Sequence, residues 1–248
     1  MSTIYIMWLR QMIRYFRSPP RIVAALAQPL LYMLAFGYGF GAIYRMAGQG
    51  NYLSFLAPGI LGMSILFTSI FSGMELIWDR QFGFLKETLA APVSRITVMI
   101  GRTAGGATVA TFQATIVLIL AMVFGFRPTD WLMLVPTLIA MFIVALMFTT
   151  LGTWFAALLS DFQGFQMIMN FLVMPMFFLS GAMFPLDHVP GALAMIAHVD
   201  PLSYGVDAFR GLLLGASHFG LLLDAAVLIG VTTLFLIGAS RAFSRIEA

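Results

Sequence analysis

The sequence predicts an all-α polytopic membrane protein. It should have six transmembrane helices, an N-terminal amphipathic interfacial helix, and short re-entrant or outer helices before the last span. Three observations carry this reading. Of 248 residues, 61% are hydrophobic and only 9% charged, whereas an ordinary soluble domain carries about 25% charged residues. Six apolar runs each approach the roughly 20 residues a helix needs to cross a bilayer. Lys and Arg gather on one side of those runs, as orientation by positive charge requires. A soluble enzyme of standard composition is excluded.

The runs fall at 22–44, 55–78, 103–126, 131–159, 162–186 and 219–240. Those at 103–126, 131–159 and 162–186 hold no Asp, Glu, Lys or Arg. A charge near the bilayer centre costs about 2.5–3.5 kcal/mol, so these three are the clearest spans. Asp224 stands near the start of the sixth. The runs are continuous rather than alternating, which favours helices over barrel strands.

With both termini inside, the cytoplasmic side holds Arg10, Arg14, Arg17, Arg21, Arg80, Lys86, Arg95, Arg102, Arg241 and Arg245. The outer side holds only Arg45, Arg127 and Arg210. A net charge of +3 therefore reports orientation, not nucleic-acid binding. There is no cysteine, which excludes disulfides, thiolate metal sites and a cysteine nucleophile. The first long apolar run is too long for a cleavable signal peptide. The whole of 1–248 is expected to be one transmembrane domain.

Residues 1–21 form the interfacial segment. Within 4–17, Arg10, Arg14 and Arg17 share one helical face, and Ile4, Trp8, Met12 and Tyr15 the other. This suits a helix lying in the cytoplasmic interface and stopped by Pro19 and Pro20. The stretch 187–218 carries Asp187, His188, His198, Asp200, Asp207, Arg210 and His218, too polar for a seventh span. Asp200 before Pro201 reads as an N-cap, and Asp207 with Arg210 as an i, i+3 pair.

Motifs for catalysis are missing. No phosphate-binding GxxxxGK[ST] loop and no HExxH zinc motif occurs. Gly37, Gly39 and Gly41 lie in an apolar span without a preceding strand and suit helix packing. The residue two before Ser180 is Phe178, not glycine, so the GxSG of an intramembrane serine protease is absent, and no later span supplies a histidine base. His188, His198 and His218 share no helical face, and no metal site is expected. The chain should not be an enzyme.

Polar residues within the runs are Gln28, Glu75, Gln113, Gln163, Gln166, Asn170 and Asp224. Gln163, Gln166 and Asn170 follow at i, i+3 and i+7, a stripe on the fifth span that either lines a wetted pathway or bonds helices together. Glu75 can snorkel to the interface. GxxxG spacings at Gly37/Gly41, Gly101/Gly105 and Gly211/Gly215 support close helix packing.

The loop 79–95 holds a short helix with Phe82, Leu85 and Leu89 on one apolar face, flanked by Arg80, Lys86 and Glu87 and ended by Pro92. An apolar face outside the membrane needs a covering partner or lipid. This segment resembles the coupling element of the permease subunits of type-2 ABC exporters, matching at Arg80, Gly83, Leu85, Pro92, Ser94 and Arg95, followed by Gly101 and Arg102. Two further matches follow in order. One is FLSGAMFPLDHVP at 178–190, and the other is DPLSYGVDAFRG at 200–211, with Pro201, Tyr204 and Arg210. Asp200 stands where Asn is commoner. The likeness covers essentially the whole chain and is to drug- and antibiotic-resistance-type and nodulation-type members.

The resemblance implies a permease of the bacterial-type inner membrane that forms a homodimer. It implies a separate ATPase subunit, docked on the cytoplasmic loop at Arg80, Phe82, Gly83, Leu85, Glu87, Leu89, Pro92 and Arg95. ATP and Mg would be bound by that partner, so no cofactor is expected in this chain. The path would run near the dimer interface, involving spans one, two and five, with Gln163, Gln166 and Asn170 suitably placed. The substrate would be an amphipathic drug-, lipid- or glycolipid-like molecule. The alternatives are a partner-free secondary transporter, which should show inverted repeats and mid-membrane ionisable residues, and a membrane scaffold subunit.

Overall fold

A computed structural model describes residues 2–41, 52–159, 161–186 and 190–246. Arg45, Asp187 and His188 lie outside the described residues, as does the side chain of Leu89. Ten α-helices and no strand occur among the described residues. They are α1 Thr3–Phe16, α2 Pro19–Gly39, α3 Tyr52–Gln81, α4 Phe84–Ala90, α5 Arg95–Val123, α6 Leu134–Leu158, α7 Phe162–Leu179, α8 Gly191–Val199, α9 Pro201–Leu214 and α10 Leu221–Ser244. A 3₁₀ turn, Trp131–Met133, leads into α6. Six helices (α2, α3, α5, α6 with its leading turn, α7 and α10) are long and apolar enough to cross a membrane.

The third span departs from the sequence expectation. Its helix starts at Arg95, not at 103, because Arg102 is neutralised inside the protein rather than held in water. Ser94 caps it by accepting from the Thr97 N–H. The fifth span stops at Leu179, where Gly181 adopts a positive φ of 72° and turns the chain. Its N-cap is Asp161, which accepts from Gly164, an arrangement that satisfies an orphan N–H of the first turn.

The core is built around α3, which packs against α2, α5, α6, α7 and α9. The α3–α6 crossing is close because glycine stands on both sides. A Cβ on Gly73 would lie 2.3 Å from the backbone of Gly152, and one on Gly152 would lie 2.5 Å from the Ile70 carbonyl oxygen. Small residues let membrane helices approach to backbone contact, where van der Waals packing replaces the missing hydrophobic drive. In contrast, α2, α7 and α10 are largely uncovered. Val23, Leu31, Phe171 and Leu222 project from them with at least 64% of their surface free.

Candidate functional site

The site is built at the end of the bundle where α1 crosses the spans. Here α1 spans Thr3–Phe16, with Arg10 and Arg14 on one face. It packs along α5, where Gly101 and Gly105 leave room, and a Cβ on Gly101 would meet the Ile4 carbonyl oxygen at 2.8 Å. Trp8 donates its indole N–H to Thr108 at 3.0 Å, and Tyr15 donates to Gln113 at 3.4 Å. The arginine face then meets the acidic end of α3. Arg10 and Arg14 each reach Asp79 at 3.0 Å, Arg14 also holds Glu75 at 3.0 Å, and Arg21 of α2 holds Glu75 at 2.6 Å. Arg102 from α5 closes the cluster on the other Asp79 oxygen.

Glu75 is therefore not snorkelling to an interface. Both of its oxygens are taken by arginines. Asp79 and Arg102 are each only 4% exposed, so each makes the other's burial tolerable. Burial acts against the Arg14 guanidinium, yet Glu75 and Asp79 beside it raise its pKa above the ordinary arginine value. Sequence reasoning missed Asp79. The usable signal was complementary spacing, since Arg10/Arg14 and Glu75/Asp79 are both i, i+4 pairs and those are the first acidic residues of the chain.

This cluster anchors the 79–95 segment, whose side chains divide into two groups. Phe82 is 77% exposed and Phe84 54% exposed, with the Arg10 guanidinium 5.2 Å above the Phe84 ring. Lys86 and Glu87 are also exposed. Leu85, however, is 2% exposed and belongs to the hydrophobic core. The expected shared face of Phe82 and Leu85 is corrected. Gly83 has φ +81°, so the chain turns between them and α4 begins only at Phe84. Helical phase does not carry across such a turn, because side-chain spacing predicts a common face only within continuous helix.

The two arginines of the segment each reach the end of another helix. Arg80 donates to the carbonyls of Leu159 and Ala157 at 3.0 and 3.3 Å, covering the end of α6. Arg95 donates to Ser244 and Ile246, both at 2.8 Å, covering the end of α10. Both act on helix C-termini, where orphan carbonyls and the dipole favour a cation. Pro92 lies exposed in the turn between α4 and α5.

On α7, Phe165, Met169 and Val173 face the core, while Gln163, Gln166 and Asn170 are exposed on other faces. Trp78 stacks on Phe162 at 5.9 Å, joining the end of α3 to the start of α7.

At the opposite end, Asp200 Oδ1 accepts from the Leu202 N–H at 2.9 Å, and Pro201 starts α9. Tyr204 donates to the His198 carbonyl at 2.8 Å. The expected Asp207–Arg210 pair is corrected, since the two side chains serve different partners. Asp207 accepts from the backbone N–H groups of His218 and Phe219 at 2.8 Å. Arg210 donates to Gly181 at 2.7 Å, with its guanidinium 4.0 Å from the Phe55 ring. The carboxylate thus caps the entry to α10, and the guanidinium ties α9 to the 181–182 turn. Asp200 also borders a largely apolar groove of about 930 Å³ between α6, α7, α8 and α10.

Comparison with known proteins gives this arrangement a family. The model of the ABC-2 type transporter matches residues 2–214. The chain is 29% identical over 210 residues to the putative transport permease ycf38 of Cyanophora paradoxa, covering 84% of this chain and 72% of that protein. It is 28% identical over 219 residues to Nodulation protein J of Rhizobium meliloti (strain 1021), covering 87% and 83%. It is 30% identical over 209 residues to Nodulation protein J of Rhizobium leguminosarum bv. viciae, covering 84% and 80%. With six membrane-crossing helices, and a family match that takes in α1, the 79–95 segment and the short helices α8 and α9, the chain belongs to the ABC-2 type transporter membrane family and is a membrane subunit of an ABC transporter.

Proposed function

We propose that this chain is the permease of an ATP-driven exporter for an amphipathic drug-, lipid- or glycolipid-like substrate, working as a homodimer with a separate ATPase. Both termini, the ion-pair cluster and the 79–95 segment then face the cytoplasm of a bacterial-type inner membrane, in keeping with the Lys and Arg distribution. The observation that carries the reading is the division of side chains in 79–95. Phe82 and Phe84 stand out from the bundle, while Leu85, Arg80 and Arg95 fasten the same segment to it. An aromatic anchor on a rigid base is what a moving ATPase needs to push against. Gly83, Lys86, Glu87 and Pro92 shape the turn around that anchor, and Leu89 is proposed to continue it.

The second copy is supported by the surfaces of α2 and α7, which flank α3 and leave most of their side chains uncovered. Gln163, Gln166 and Asn170 sit on one of these surfaces. Polar side chains in a span are costly against lipid and are favoured against a partner helix or a wetted path. We assign them to the translocation path between two copies. Related proteins carry the names transport permease and Nodulation protein J, which supports transport and leaves the substrate to chemistry.

The chain's lack of cysteine makes a direct test possible. A single cysteine at position 82, in membranes holding the chain and its partner ATPase, should cross-link to that ATPase. A single cysteine at position 85 should not. Cross-linking from 85 and none from 82 would overturn the docking assignment.

A further inference from the structure

A cavity of about 200 Å³ lies between α1, α2, α3 and α5, beside the ion-pair cluster. Ser64, Thr68 and Ser72 of α3 line it at i, i+4 and i+8, facing Gln113 of α5 and Gln28 of α2. The three hydroxyls make no side-chain hydrogen bond among the described residues, and the Ser64 hydroxyl is buried without a partner. The threonines of α5 behave differently. Thr108, Thr111 and Thr115 each donate at 2.8 Å to the carbonyl four residues back, the usual way a helix absorbs a hydroxyl. Gly106 opposite gives the α3 stripe its room, since a Cβ there would lie 2.4 Å from Ser72 Oγ.

The carboxylate at the cavity is already paired. Glu75 has both oxygens on Arg14 and Arg21, so the inner wall meets a guest with amides and hydroxyls, and the Arg21 guanidinium stands at its exposed rim. A buried hydrogen-bonding group without a partner is costly, which favours a guest that satisfies it. The remaining wall is apolar, with Phe67 and Phe71 stacked at 6.3 Å and Pro29 and Met63 beside them. Gln28 and Thr68 are only half-buried, so the cavity communicates with the surface next to the uncovered face of α2.

We infer that this cavity binds the uncharged, hydrogen-bonding head of an amphipathic molecule, a sugar ring or an amide, whose apolar tail leaves along α2 into the bilayer. This deepens the exporter reading and rests on it for the role of the guest as substrate. The site lies within one copy, apart from the α7 stripe.

The test uses the full chain in lipid nanodiscs and a photoactivatable alkyl glucoside carrying a diazirine close to the sugar. Labelling should concentrate in the peptides holding Met63–Ser72 and Gly106–Gln113. Octyl glucoside should compete for it, and octyl phosphocholine should not. Gln28→Leu and Thr68→Val, both at half-buried positions, should each weaken labelling roughly tenfold, the scale of one lost hydrogen bond. Absent labelling at these peptides would mean that water alone fills the cavity and would overturn the inference. So would equal competition by octyl phosphocholine, or labelling unchanged in both variants. No ATPase is present in this assay, so its failure leaves the docking of the ATPase at Phe82 untouched, and failure of that docking leaves this binding result standing.

Discussion

The two ends of the bundle hold buried charge in different ways. Where α1 crosses the spans, four arginines from three helices converge on two carboxylates of α3. At the opposite end, Asp200, Asp207 and Arg210 each bond to backbone groups. The first arrangement ties helices to one another, and every member depends on the rest. The second sets the direction of a short helix or turn, one side chain at a time. A segment that must transmit force is expected on the first kind of base, and 79–95 starts at the acidic member of that network.

The sharpest way to break the comparison is to remove the centre of the network. Asp79→Leu leaves the buried Arg102 without a counter-charge, which should cost about 3–5 kcal/mol. Thermal unfolding in detergent should show it. Asp79→Leu combined with Arg102→Leu should recover much of that loss, because the pair is removed together. If the double variant loses as much as the two single losses added, the network does not act as a unit.

Next in size is Leu85→Ala. A leucine at 2% exposure should cost about 2–4 kcal/mol on truncation. If the same unfolding measurement shows under about 0.5 kcal/mol, the scale of an ordinary surface substitution, Leu85 lies at the surface and shares a face with Phe82.

The capped end should show its own signature, in pH. Burial pushes the Asp200 carboxyl up to about 7, with the Leu202 N–H opposing, and its Oδ2 is buried without a partner. Between an unfolded value near 3.8 and this folded one, the native state holds the extra proton. Stability should therefore fall as pH rises through that window and level off above about 7. The slope approaches about 1.4 kcal/mol per pH unit, so pH 5 to 7 should cost about 2 kcal/mol. Asp200→Asn keeps the acceptor for Leu202 and removes this titration, so its unfolding midpoint should fall less than the wild type's over the same range. A wild-type profile no steeper than the variant's would contradict the burial argument.

The six spans were legible because run length and absence of charge are one-dimensional quantities. The boundary at Arg95 was not, since a charge ends a span only when nothing inside the protein pairs with it. Arg102 has Asp79, which sequence distance hides. The partners of Arg10 and Arg14 were hidden for the same reason, although the matched i, i+4 spacings were present. At Leu85 the failure was local, because one positive-φ glycine cancelled the phase that spacing arguments depend on. Asp207 and Arg210 show the converse. A permitted i, i+3 pair gave way to backbone donors and acceptors that only tertiary structure brings near.

On this reading 79–95 presents Phe82 to an ATPase while Arg80, Leu85 and Arg95 fasten the segment to the bundle. The most direct measurement is binding of the ATPase to detergent-solubilised Phe82→Ala permease, with unfolding followed in parallel. The account predicts an unfolding midpoint like that of the wild type and a loss of affinity of about thirtyfold or more, the scale of a truncated aromatic anchor. Wild-type affinity in a normally folded Phe82→Ala permease would contradict it.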